Sequence, residues 1–177
     1  MGAGDERDRR LRMNDAELLR ECREERYKAS GPGGQRRNKV TTAVRLRHEP
    51  TGVIVQAEEG RALEENRRRA VRRLRERIAV EVRAPFNIAS PTLPAEFRKY
   101  VSPEGRLSVN AKNPDYPIVV ATVLDALAGA TGGSYAPAAK ALGVTSSQLA
   151  KFLESDREVW RWIAEGRLKP DAEATGR

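Results

Sequence analysis

The feature that most restricts the fold is a change of hydrophobic period between residues 43 and 81. In "AVRLRH", Val44, Leu46 and His48 alternate with Arg45 and Arg47; in "GVIVQAE", Val53 and Val55 alternate with Ile54 and Gln56. A period of two belongs to a half-buried strand. The intervening "EPTG" places Pro50 second and Gly52 fourth, as a type I turn favours, which predicts a hairpin. From Leu63 the period becomes helical: Leu63, Ala70, Val71, Leu74 and Ile78 recur along one face, and arginines fill the others. The two periods together predict a sheet packed on one face of a long basic helix. Upstream, "NDAELLREC" predicts a short helix capped by Asn14 with Leu18 and Leu19 turned inward, and "CREERYKAS" fits an edge strand.

Beyond residue 83 the pattern changes again. Pro85, Pro91, Pro94, Pro103 and Pro114 break up residues 84–116, which read as a surface-wrapped linker pinned by Leu93 and Phe97. "PIVVATVLDALAGATGG" then predicts an apolar helix ended by glycines. The following stretch predicts helix, turn, helix: Gly143 ends the first, and Thr145 with Gln148 caps the second. Leu149, Phe152, Leu153, Trp160 and Ile163 would form one buried stripe. The expected fold class is α+β, a small mainly antiparallel sheet packed on a long basic helix, followed by an all-α, helix-turn-helix-like C-terminal module. The expected divisions are a disordered start at 1–13, a domain at 14–83, the linker at 84–116, the helical module at 117–168 and a tail at 169–177.

Charge is distributed unevenly. Residues 1–84 hold 22 Lys/Arg against 15 Asp/Glu, whereas the rest hold 11 against 10, within a chain of net charge +8. A basic half joined to a nearly neutral one points to a polyanion partner for the first half. One cysteine, Cys22, and one histidine, His48, leave no disulfide framework and no thiolate- or imidazole-rich metal site. No metal and no cofactor is expected. The start "MGAGDERDRR" has no apolar stretch to act as a leader, and no span is apolar enough for a membrane, so a cytoplasmic protein with no membrane partner is expected.

The segment "SGPGGQRRNK", residues 30–39, carries the chemistry. Gly33 and Gly34 permit positive φ and close approach of backbone to a substrate, while Pro32 stiffens the base of the loop. Gln35 brings a backbone N–H and a carboxamide that donates and accepts, but no general base or nucleophile. Such a loop can orient water and donate to a developing oxyanion, help worth about 2.7–4 kcal/mol per donor in enzymes. That suits an already activated substrate such as an ester. Arg36, Arg37 and Lys39 put phosphate-binding charge beside it. The residues therefore point to hydrolysis of an ester attached to a nucleic acid.

"SGPGGQRRNKVTTAVRLRHEPTGVIVQ", followed by the arginine-rich helix, strongly resembles the catalytic domain of class I peptide chain release factors over roughly residues 18–82. The resemblance implies a GGQ loop that enters the large-subunit peptidyl-transferase centre and hydrolyses the ester of peptidyl-tRNA with water, forming no covalent intermediate. Gly33 and Gly34 would allow approach to the ester. The N–H of Gln35 would stabilise the transition state, and its side chain would position water. Gln35 would be a candidate for N5-methylation by a methyltransferase partner. Ser30, Gly31, Asn38 and Lys39 would shape or anchor the loop on ribosomal RNA, joined by Arg36, Arg37 and Arg45. Because the matching region starts almost at the first residue, no stop-codon-reading domain is expected. That places the chain with the short, codon-independent hydrolases of the family that rescue stalled ribosomes, expected here as a monomer. Unlike their Lys/Arg-rich tails, "GRLKPDAEATGR" holds few basic residues.

Bland readings compete with these. Arg67, Arg68, Arg69, Arg72 and Arg73 could contact RNA, or could form a solvated face balanced by Glu64, Glu65 and Glu76. His48 reads as a strand or turn residue without a dyad partner. Two other functions stay open: a ribosome- or RNA-binding factor that keeps the GGQ shape without hydrolysis, and a DNA-binding regulator acting through residues 135–164.

Overall fold

The alternating segments pair with each other. β2 (Ala43–His48) is the centre of a three-stranded antiparallel sheet, flanked by β1 (Cys22–Tyr27) and β3 (Ile54–Ala57). The computed structural model describes residues 3–28, 42–130 and 133–168, and the chain divides into two compact units, Arg9–Glu81 and a second made of Met1–Asp8 with Val82–Arg177.

In the first unit, Val44, Leu46, His48, Val55 and Ala57 are buried on one face of the sheet. The helix α3 (Leu63–Glu81) lays Ala70, Val71, Leu74 and Ile78 against β2 and β3. Each fully buried Val, Leu or Ile contributes roughly 1.5–3 kcal/mol relative to exposure, so this stripe holds the layer pair together. A short helix (Asp15–Arg20, α2 in the numbering below) starts at Asn14, whose Oδ1 accepts from the Glu17 N–H at 3.0 Å while Glu17 Oε2 accepts from the Asn14 N–H at 2.9 Å. Leu18 is fully buried and Leu19 half-buried.

The turn between β2 and β3 is one residue wider than a four-residue turn over 49–52. Gly52 donates to the His48 carbonyl at 2.8 Å, and its φ of +71° lets the chain close there without a Cβ penalty.

Residues 1–13 read as disordered from the sequence, but Ala3–Arg12 form a helix, α1, followed by α2. The reason lies in the second unit. Asp125 sits on the otherwise apolar helix α5 (Tyr116–Gly129) and is itself buried. A buried carboxylate needs cations. Arg7 of α1 supplies one at 2.6 Å and Arg83 another at 2.9 Å, while the Ala84 N–H adds a hydrogen bond at 3.0 Å. The segment expected as a surface linker also has its own anchor: Phe97, on the single-turn helix α4 (Ala95–Arg98), is fully buried.

The helix α6 (Tyr135–Leu142) ends at Gly143 with φ of +70°, and α7 (Ser146–Ser155) begins at Thr145, whose side chain accepts from the Gln148 N–H. The expected single helix through Ile163 is instead two. Asp156 interrupts it and caps α8 (Arg157–Ala164), accepting from the N–H groups of Glu158 and Val159 at 2.9 and 3.1 Å. An aspartate side chain competes with the helical backbone in this way. The restart rotates the face: Val159 is buried, whereas Trp160, expected in the stripe, is 41% exposed.

Candidate functional site

The register of β1 and β2 runs from Cys22 opposite His48 to Tyr27 opposite Ala43, so the two strands converge on the segment that carries the GGQ sequence. Ser30, Gly31, Gly33, Gly34, Gln35, Arg36, Arg37, Asn38 and Lys39 lie outside the described residues. What the structure supplies is the support on either side of them.

On the near side, the aromatic ring of Tyr27 lies under the Arg45 guanidinium, 5.3 Å from its centroid. The Tyr27 hydroxyl donates to Gln56 Oε1 at 3.2 Å and approaches Glu58 Oε2 at 3.3 Å. Burial, reinforced by the Glu58 charge, pushes the phenol above its ordinary range, so it stays protonated. The last residue of β1 is thus fixed against both β2 and the end of β3.

On the far side the holder is Asn66, fully buried in the first turns of α3. Its Nδ2 donates to the Thr42 carbonyl at 2.7 Å and to the Gly60 carbonyl at 3.1 Å, and its Oδ1 accepts from the Gly60 N–H at 2.7 Å. Gly60 has to be glycine here, because a Cβ would stand 2.7 Å from Asn66 Oδ1. Asn66 clamps the residue immediately before β2 to the connection that leads into α3. Sequence reasoning missed it. The only signal was a weak helix former among "EENRRR".

The next residue, Arg67, grips the other strand of the hairpin: its Nε and Nη2 donate to the two Glu24 oxygens at 2.8 and 2.9 Å. These hydrogen bonds hold the Glu24 carboxyl below the usual carboxylate range. Its neighbours on α3 are matched too: Arg69 pairs with Glu65, Arg72 with Glu76, and Arg73 with Glu59 while donating to the Gln56 carbonyl. The hydrogen bond from Arg73 takes the Glu59 carboxyl down to about 2. Arg68 reaches only the Glu64 carbonyl, at 3.4 Å. Among the described residues, then, four of the five α3 arginines considered for RNA contact already have a carboxylate. Exposed pairs of this kind are worth about 0–1 kcal/mol and can exchange partners.

At the opposite end of the sheet, His48 has the partners that its sequence context did not show. Its Nε2 is 3.1 Å from Glu21 Oε2 and its Nδ1 is 2.7 Å from Thr51 Oγ1. Since a carboxylate only accepts, Nε2 carries the proton and Nδ1 accepts from the threonine hydroxyl. Burial holds the imidazole below its ordinary range, against the pull of Glu21. Glu21 is itself held low: partial burial opposes this, but hydrogen bonds from Arg10, His48 and Arg9 outweigh it. This cluster lies at the end of β2 away from the GGQ segment and supports the sheet. Cys22 beside it is pushed up to about 11 by burial, with Glu21 and Glu49 adding to the effect, and is inert as a thiol.

A sheet backed by one long helix, with a diglycine-glutamine segment strung between two paired strands, defines a release-factor type of domain. The family model described as RF-1 domain matches residues 14–92. Peptide chain release factor 2 of Acidovorax sp. strain JS42 is 50% identical over 58 residues, 33% of this chain and 16% of that protein. Peptide chain release factor 2 of Variovorax paradoxus strain S110 is 48% identical over 68 residues, 38% of this chain and 17% of that one. Peptide chain release factor 1 of Acidiphilium cryptum strain JF-5 is 32% identical over 108 residues, 55% and 30% of the two chains. Residues 14–92 of this chain are thus similar to the RF-1 domain shared by these peptide chain release factors. It spans less than a third of the length of these relatives.

Proposed function

We propose that this protein hydrolyses the ester of peptidyl-tRNA on the ribosome, with water as nucleophile and residues 33–35 at the reaction centre. The observation that carries this reading is the placement of "SGPGGQRRNK" between the paired ends Tyr27 and Ala43 of a hairpin in an RF-1 domain. Gly33 and Gly34 bring the backbone to the ester, and the Gln35 N–H donates to the oxyanion that forms as water adds to the ester carbonyl. The Gln35 carboxamide orients the water, and its side-chain nitrogen is the site a methyltransferase would modify. Ser30, Gly31, Arg36, Arg37, Asn38, Lys39 and Arg45 hold the loop on ribosomal RNA.

The clamps on either side fit that role. A long segment delivers a backbone donor reproducibly only if both of its ends are fixed, and Tyr27–Arg45 fixes one while Asn66–Thr42 fixes the other.

The finer part of the proposal is that release needs no stop codon. To the helical unit built on α5 to α8, which accompanies the RF-1 domain among the described residues, we assign recognition of the stalled particle. The test is peptide release from purified ribosomes stalled on messages without a stop codon. Release by the wild-type chain, lowered in Gly34→Ala and in Gln35→Ala, supports the reading. Binding to those ribosomes without release supports the alternative of a factor that keeps the loop without turnover.

A further inference from the structure

The arginines of α3 drew attention in the sequence, yet most of them are spoken for. The uncompensated charge lies on the other side of the sheet. Pairing sets Arg23 opposite Arg47, and Arg47 opposite Ile54, in one row; Glu25, Arg45 and Gln56 form the next. Strand alternation points both rows away from the face on which α3 packs. Arg47 is exposed and has no ion pair among the described residues. The Arg23 side chain is 71% exposed, and Ile54, an uncommon residue to leave in water, is 52% exposed. Glu25 is shared loosely between Arg23 at 3.7 Å and Arg45 at 3.6 Å. Within these two rows three cations therefore share one carboxylate, and the row beyond them ends at Tyr27, which meets Glu58 and is the last strand residue before the GGQ segment in the sequence.

From this geometry we infer that the outer sheet face, rather than the arginine-rich helix, is the surface that docks on the RNA backbone. The inference rests on the proposed function for the identity of the RNA, that of the large ribosomal subunit. Charge complementarity selects the occupant. Paired strands space Arg23 and Arg47 laterally by about 5 Å, close enough for both guanidiniums to engage one phosphate or two neighbouring phosphates. Ile54 beside them offers apolar contact to a sugar or base edge. On α3, by contrast, each phosphate gained by Arg67, Arg69, Arg72 or Arg73 displaces a glutamate already in place. On the outer face Arg47 gives up only water and counterions, and Arg23 only its loose 3.7 Å contact with Glu25.

The experiment measures equilibrium binding of the full chain to purified large ribosomal subunits as a function of salt, with peptide release at saturating protein as a second readout. Removing two phosphate contacts lowers the slope of log K against log salt by about 1.4–1.8. Arg23→Gln with Arg47→Gln is expected to show that loss and at least tenfold weaker binding, with release at saturation unchanged. Arg69→Gln with Arg72→Gln removes the same charge from α3 and is expected to change binding less than threefold. Ile54→Ser is expected to weaken binding without changing the slope. Equal losses for the sheet and helix pairs would overturn the inference, as would a sheet variant that binds like wild type. If the wild type binds with the expected slope but releases no peptide, the hydrolase reading fails while the docking surface stands. Absence of wild-type binding overturns both.

Discussion

Asn66 and Thr42 are 24 residues apart in sequence and 2.7 Å apart in space, joined by a hydrogen bond from a fully buried carboxamide to a backbone carbonyl. Thr42 immediately precedes β2, on the C-terminal side of the GGQ segment in the sequence. A helix residue thereby fixes the residue that leads into the central strand. Arg67, the next residue, fixes Glu24 on β1, the strand that precedes the GGQ segment in the sequence. One turn of α3 governs both sides of the hairpin.

Replacing Asn66 tests that relationship. Asn66→Ala leaves two carbonyls and one N–H without their partner, and each buried orphan costs about 1–3 kcal/mol. Asn66→Asp is expected to be worse, because a carboxylate cannot donate to the Thr42 and Gly60 carbonyls. Gly60→Ala should act on the same clamp by pushing its Cβ into Asn66 Oδ1. Denaturant unfolding measures the stability loss, and peptide release at equal folded protein is expected to fall in all three variants.

The pH dependence of stability follows from His48 and the carboxylates around the sheet. The folded-state pKa of His48 lies below its unfolded value, so its contribution is fully present above about pH 6.5 and is lost as pH falls through the folded value. Glu21, Glu24 and Glu59 also have lowered values, so their contributions are present above about pH 4.5 and fade below it, for Glu59 down to about pH 2. Thermal midpoints should therefore fall in two stages on acidification. His48→Gln is expected to remove the first stage and leave the second. A single stage in the wild type would contradict the assignment.

The buried triad of Arg7, Asp125 and Arg83 gives a third expectation. Asp125→Asn leaves two buried guanidiniums without their shared carboxylate, and breaking a buried pair in this way costs about 3–5 kcal/mol. Arg7→Met should cost less, since Arg83 still neutralises Asp125. Calorimetry on the full chain reads both. Equal midpoints for wild type and Asp125→Asn would show that α1 is not held by this carboxylate.

Particular residues show what the sequence could reveal. The sheet and α3 were legible because side-chain period records burial directly: Val44, Leu46, Ala70, Leu74 and Ile78 all face inward as the pattern requires. Asn14 was legible as a cap because its partner, Glu17, is three residues away. Asn66 was not, since its partners come from two distant segments. Arg7 looked like one more charge in a polar start, and only the tertiary position of Asp125 gives it a buried role. Asp156 was not legible as a cap, because the apolar stripe from Leu149 to Ile163 reads as one helix running through it. The arginines of α3 were correctly placed on a solvent face, but their carboxylate partners on other elements, Glu24 and Glu59, were not visible from α3 alone.

The most direct measurement is the rate of peptide release from ribosomes stalled without a stop codon, comparing wild type, Gln35→Ala and Gln35→Pro. Proline removes the backbone N–H that the proposed chemistry depends on, whereas alanine keeps it. Gln35→Pro is expected to lose roughly 10²–10³ in rate at saturation with ribosome binding unchanged, and more than Gln35→Ala loses. Release by Gln35→Pro at the wild-type rate would contradict a role for that N–H in the reaction.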